Sequence, residues 1–326
     1  MKRYEPQIIL PEVGYVGQKI LQQSRVLVVG AGGLSATLLP QLIGSGIGYV
    51  RLYDNDNVAL NNLHRQTLFT ERDVGYAKVV SAQKILEQQN PQVRVEILQE
   101  MLNVSNVKSA LIDIDLVVDS ADNFDVTYLL SDICSINAVP FISASVVGRQ
   151  GYVGGFCGIA PGYCTVFPRS STVCFSNNCS TVGVMGPVVA VLGAIQAQMV
   201  ISVLLGLLPS PLGCIVNCDF VNWHFYRFRF YGLDESSDQK SIPFIDLQSL
   251  ADDDWIVELR SFEEAPVSIA ECVERVSLQQ LPFWQPPTMD RRIVLVCASG
   301  MRASQAGILL MQRGFNSLAI LAANRL

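Results

Sequence analysis

Arg25-Val-Leu-Val-Val-Gly-Ala-Gly-Gly-Leu-Ser35 is an apolar strand that runs straight into a glycine turn and then a helix. Val26 to Val29 carry no polar residue, which suits a parallel strand covered on both faces. Gly30, Gly32 and Gly33 follow at once. A turn this tight needs backbone without Cβ, and it leaves N–H groups at a helix N-terminus aimed at an anion. Ser35 takes the last position of the Gly-x-Gly-x-x-Gly fingerprint, so the turn alone fits either a mononucleotide phosphate or no ligand.

The elements that follow extend the pattern. A helix from about Leu34 to Ser45 leads to a strand, Tyr49 to Asp54, and Lys78 opens an amphipathic helix. Strands at Val93–Leu98, Leu116–Asp119 and Phe141–Ser145 come next, with a helix from Phe124 to Asn137 before the last. This order predicts a Rossmann-like doubly wound α/β sheet. After Gly151, antiparallel strands are expected at Tyr152–Phe156, Tyr163–Phe167, Cys214–Asp219 and Phe225–Tyr231. The polar run 232–241 reads as a linker, dividing residues 1–231 from a small α/β domain over 242–326.

Four charged side chains gather around the turn. Asp54 lies 24 positions beyond Gly30, where a carboxylate can accept from ribose hydroxyls. Arg65 can grip phosphate bidentately and Lys78 supplies a point charge. Asp122, just past a strand's carboxyl end, can hold Mg²⁺. Each could equally be a surface or cap charge. An NAD-dependent dehydrogenase would explain the turn and Asp54 but leave Arg65 and Lys78 without work.

Composition removes other classes. Of 326 residues, 50% are hydrophobic and 16% charged, and the net charge is −6. Without a Lys/Arg-rich run, nucleic-acid binding is not expected. Residues 182–208 carry no charge and are long enough to span a bilayer, yet Gly186, Pro187, Gly193, Gln196 and Gln198 interrupt them. A core or dimer-interface helix is the expectation, with no membrane association. Nine cysteines without a secretion signal point to reduced thiols and a cytoplasmic location.

Several further motifs fall in register with the turn. They are Arg3-Tyr4, Gln7-Ile-Ile-Leu-Pro11, Asp54-x-Asp56, Asn62-Leu-x-Arg-Gln66, Gly75-x-x-Lys78, Asp119-x-x-Asp-Asn123 and Cys179-x-x-x-Gly-Val-x-Gly-Pro187. Residues 3 to about 230 thereby resemble the ThiF/MoeB/HesA family of ubiquitin-activating-enzyme relatives. The resemblance implies ATP- and Mg²⁺-dependent adenylation of the C-terminal glycine of a ubiquitin-like sulfur carrier ending in Gly-Gly, by a homodimer. Asp54 would hold ribose, Asn62, Arg65 and Lys78 the phosphates, and Asp122 the magnesium. Cys179 would take the acyl group or exchange sulfur. A cysteine desulfurase would be the sulfur source, and molybdopterin, thiamine and secondary-metabolite pathways all stay open.

Departures from that family pattern matter. Pro6 stands where an arginine finger is usual, leaving either a catalytically impaired carrier-binding homologue or a substitute cation such as Arg149. The two Cys-x-x-Cys pairs of the family's structural zinc are missing, so zinc is not expected. A site made from Cys174, Cys179, Cys214 and Cys218 is the alternative. In the second domain, Cys297-Ala-Ser-Gly-Met-Arg302 resembles a rhodanese active-site loop, whose backbone N–H groups and arginine stabilise a thiolate or persulfide. Val257-Glu-Leu-Arg260 matches a rhodanese strand end. A regulatory remnant is the competing reading of that domain.

Overall fold

The computed structural model describes residues 2–168, 183–232, 242–270, 272–285, 290–298 and 300–323. The chain divides into two compact units, one of residues 1–166 and 175–235, the other of 167–174 and 236–326. Beyond Gly232, the expected linker lies outside the described residues.

The first unit is organised by an eight-stranded sheet. Its strands are β1 (Arg25–Val29), β2 (Tyr49–Tyr53), β3 (Arg94–Leu98), β4 (Leu116–Asp119), β5 (Phe141–Val147), β6 (Gln150–Phe156), β7 (Cys214–Asp219) and β8 (His224–Arg229). They lie in the order β3-β2-β1-β4-β5-β6-β7-β8. The first five run parallel, and β5 to β8 continue the sheet antiparallel. This is a mixed α/β fold with a Rossmann-like half and an antiparallel extension.

The uninterrupted apolar run of β1 is explained by its position. Val26, Leu27 and Val28 are fully buried between two layers, each contributing about 2 kcal/mol of hydrophobic stabilisation. The strand order reverses between β1 and β4, and the crevice beyond their carboxyl ends is where open α/β sheets bind ligands.

The apolar run after Val182 forms the helix Gly186–Leu204, which packs on the Gly33–Ser45 helix. Among the described residues it alone is long and apolar enough to cross a membrane. Val188, Val189, Leu192, Ala197 and Val200 instead join the core beside β1.

One expected strand is a helix. Tyr163–Val166 makes a single turn because Tyr163 is held from three sides. Its ring meets Tyr128 and Phe156 edge-on at centroid distances of 5.4 and 5.1 Å, and its N–H donates to Ser131 Oγ at 3.0 Å. Ring packing overrides the β propensity of the local residues.

The second unit holds five parallel strands: β9 (Phe244–Ile245), β10 (Trp255–Glu258), β11 (Val273–Arg275), β12 (Ile293–Cys297) and β13 (Leu318–Ala322). Their order is β11-β10-β12-β13-β9, with β12 central and every residue of it buried. Cys297 therefore closes the middle strand, directly before the helix Met301–Gln312.

Candidate active site

Gly30 leaves β1 at φ +97°, donating its N–H to Tyr53 O at 2.8 Å. A Cβ there would sit 2.6 Å from Ser120 O, in the loop after β4. Only glycine allows both the left-handed backbone and this approach. Gly30→Ala is expected to destabilise the chain by about 3 kcal/mol, read as a lower urea midpoint at unchanged m-value. An unshifted midpoint would show that the two loops can separate without cost.

Gly33 begins the following helix, where an added Cβ would lie 2.8 Å from Val189 Cγ1 and 3.3 Å from Arg65 Cγ. The Arg65 stem thus crosses the helix N-terminus. Ser35, in the third fingerprint position, is fully buried and donates its hydroxyl to Gly30 O. It closes the turn that a glycine would only permit.

Asp54 directly follows β2 and ties three pieces together. Its Oδ2 accepts from Ala31 N–H at 2.7 Å, within the glycine turn, and its Oδ1 accepts from Asp56 N–H at 2.8 Å. Burial pushes its carboxyl above the usual range, against the Lys78 charge and the two N–H donors. Lys78, 5% exposed, places Nζ 2.9 Å from Asp56 Oδ2. It opens the helix Lys78–Gln89, whose buried Val79, Ala82 and Leu86 fall at helical spacing and anchor it on the sheet. In the 60–66 loop, Arg65 Nη2 donates to Asn62 Oδ1 at 3.0 Å, and Nη1 lies 2.8 Å from His64 Nε2.

The loop after β4 rests on Asp119, which is 1% exposed. Oδ2 accepts from Thr127 Oγ1 at 2.7 Å and Ser143 Oγ at 2.9 Å, and Oδ1 accepts from Ala121 N–H at 3.1 Å. Gln196 Nε2 donates to Asp119 O at 2.8 Å, and Ser120 Oγ to Gln196 Oε1 at 3.3 Å. Asn123 caps the next helix through Asp125 N–H. Between these fixed points the exposed Asp122 is carried to the crevice edge.

Burial pushes the Asp119 carboxyl up to about 6, against the two hydroxyl donors. The folded state therefore binds this proton more tightly than the unfolded one. The stability it confers is full below the ordinary carboxylate range and lost as pH rises through about 6. Asp119→Asn keeps the shape and removes the titration. Urea unfolding between pH 4 and 7 should show a fall in the parent protein that the variant lacks; parallel profiles would contradict the assignment.

Sequence reasoning placed Gly30, Gly32, Gly33, Asp54, Asn62, Arg65, Lys78 and Asp122, and the fold brings the segments that carry them to one edge of the sheet. Cys179 and Cys174 lie outside the described residues. Cys218 is buried in β7, where burial raises its thiol, and Cys214 in the same strand is raised likewise. Pro6 sits in the first turn of the short helix Glu5–Ile8, where its missing N–H costs nothing, and Arg149 is exposed before β6. Asp119 was legible only as one acid of a motif, and Thr127, Ser143 and Gln196 had no sequence signal as its supports. They meet only through the fold.

In the second unit, Cys297 is buried and its Sγ accepts from Gly300 N–H at 3.0 Å and Ala303 N–H at 3.4 Å. Arg302 is directed to a carboxylate: Nη1 lies 2.8 Å from Glu264 Oε2, Nη2 3.2 Å from Oε1, and Nη1 also donates to Leu259 O. Arg260 forks onto the fully buried Glu258 at 2.9 and 2.7 Å and reaches Ala323 O.

The ThiF family matches residues 4–239, nearly three quarters of the chain. The chain belongs to the ThiF family. The ThiF match takes in every site residue of the first unit. Among relatives, the adenylyltransferase and sulfurtransferase MOCS3 of Anopheles gambiae is 41% identical over 209 residues, 62% of this chain and 46% of its own length. This chain thus matches about half of that relative. A sulfur carrier protein adenylyltransferase of Thermus thermophilus is 38% identical over 213 residues, covering 64% of this chain and 79% of that protein. MOCS3-1 of Zea mays is 29% identical across 97% of this chain and 78% of its own. Among solved structures, PaaA gives a TM-score of 0.60 at 23% identity, covering 71% of this chain and 74% of its own. Escherichia coli MccB with ATP gives 0.55 at 25% identity, covering 66% and 65%.

Proposed function

We propose that the ThiF unit adenylates the C-terminal glycine carboxylate of a ubiquitin-like sulfur carrier, and that Cys297 in the second unit delivers sulfur to the activated carrier. The observation that carries the first part is the meeting of the Gly30 turn with the Asp122 loop where strand order reverses, with Arg65 across the helix N-terminus. Nucleotidyl transfer needs positioning and charge neutralisation more than covalent help. These groups supply both. The naming of the Thermus and mosquito relatives, and the ATP bound to MccB, support the same chemistry.

In that reading the N–H groups of the turn and the Arg65 and Lys78 cations hold the phosphates, while Asp54 accepts from ribose hydroxyls. A carrier carboxylate oxygen attacks the α-phosphorus, the bond to the bridging oxygen breaks, and pyrophosphate leaves. The exposed Asp122 carboxylate fits Mg²⁺, a hard cation that takes oxygen donors and would neutralise the phosphates. Cys179 takes part in acyl or sulfur exchange, and a cysteine desulfurase supplies the sulfur. In this reading the active form is a homodimer in the cytoplasm.

Incubation with MgATP and carriers ending in Gly-Gly, followed by intact-mass measurement, should show one carrier heavier by a single adenylyl group. Unchanged masses throughout would contradict the proposal.

A further inference from the structure

The rhodanese-like loop carries a feature that the sulfur-transfer reading does not use: both arginines beside Cys297 are already matched by carboxylates. Arg302 forks onto Glu264 and Arg260 onto Glu258. The N–H groups of Gly300, at the helix cap, and of Ala303, in its first turn, are turned to the sulfur itself. A sulfonate-bearing donor such as thiosulfate brings two negative charges toward a thiolate, and binds well only where cations or N–H groups can receive its oxygens. Here the two neighbouring guanidinium groups are engaged.

Resting on the sulfur-transfer reading, we propose that Glu264 is a specificity-determining residue. By occupying Arg302 it disfavours sulfonate oxyanion donors, leaving the site to sulfane sulfur carried on a thiol, that is, a persulfide. The two ion pairs divide the work. Glu258 has no exposure and Arg260 little, so that pair is a fixed part of the strand end. Arg302 and Glu264 are about one third and one half exposed, so their pair can be undone without collapsing the fold. The Arg302 hydrogen bonds hold the Glu264 carboxyl below the usual range.

The transfer step balances without an added oxidant. The Cys297 thiolate attacks the outer sulfur of R–S–SH, the S–S bond breaks, and R–S⁻ leaves with the electron pair. The outer sulfur and its proton stay on Cys297 as a persulfide.

The test compares the full chain with its Glu264→Gln variant, using thiosulfate or cysteine persulfide as donor and cyanide as acceptor. Cys297→Ala serves as control. The parent protein should favour the persulfide. Glu264→Gln should raise kcat/KM for thiosulfate about tenfold, chiefly through KM, and leave the persulfide value within about twofold. Adding Arg302→Ala should remove the gain, because the freed guanidinium is what receives the sulfonate. Turnover that Cys297→Ala abolishes but Glu264→Gln leaves unchanged, or lowers equally for both donors, would overturn this inference alone. Absence of Cys297-dependent turnover with either donor would overturn the sulfur-transfer reading and this inference with it.

Discussion

Lys78→Ala is expected to lower kcat/KM for carrier-dependent ATP–pyrophosphate exchange by about 10²–10³-fold while shifting unfolding stability by less than about 1 kcal/mol. The two effects part because the ion pair is lopsided. Lys78 is held in the interior by the first turn of its helix, whereas the side chain of its partner Asp56 is 64% exposed. Losing the amine leaves Asp56 in water at little cost. It also removes a cation positioned to neutralise phosphate charge as it develops. Steady-state exchange and urea melts on the same preparation measure both. Exchange within about twofold of the parent value would rule Lys78 out of the phosphate grip.

Cys297→Ser should abolish sulfur delivery, a fall of about 10³-fold or more, and leave ATP–pyrophosphate exchange unchanged. Serine preserves the shape of the buried end of β12 and still offers an acceptor to the Gly300 and Ala303 N–H groups. What it lacks is a sulfur that can form a persulfide. The thiolated carrier, measured by mass, should disappear while its adenylate persists. Loss of both activities would mean that Cys297 supports the structure rather than the chemistry, and retention of both would make the second unit regulatory.

Much of this architecture was written locally. The β1 run and its glycines declare strand, turn and helix within eleven residues, because burial on both faces and φ +97° each admit few residue types. Lys78 was legible for the same reason, at the head of a periodic helix. What could not be read depends on contacts between distant segments. Asp119 looked like one acid in a motif, and its support comes from Ser143, 24 residues on, and Gln196, 77 residues on. Ser35 read as a weakened fingerprint, because a hydroxyl's partner is invisible in a pattern of small residues. Tyr163 read as part of a strand until two rings and a serine fixed it as a helical turn. The pairing of Arg302 with Glu264 spans 38 residues, so the loop motif gave the arginine without its partner.

The most direct measurement is ATP–pyrophosphate exchange by the purified chain across carriers ending in Gly-Gly, with Asp122→Ala alongside. Adenylation predicts exchange that depends on one carrier and is lost in Asp122→Ala. Measurable ATP binding with no exchange for any carrier would contradict it, pointing to a carrier-binding homologue whose Pro6 marks the lost arginine.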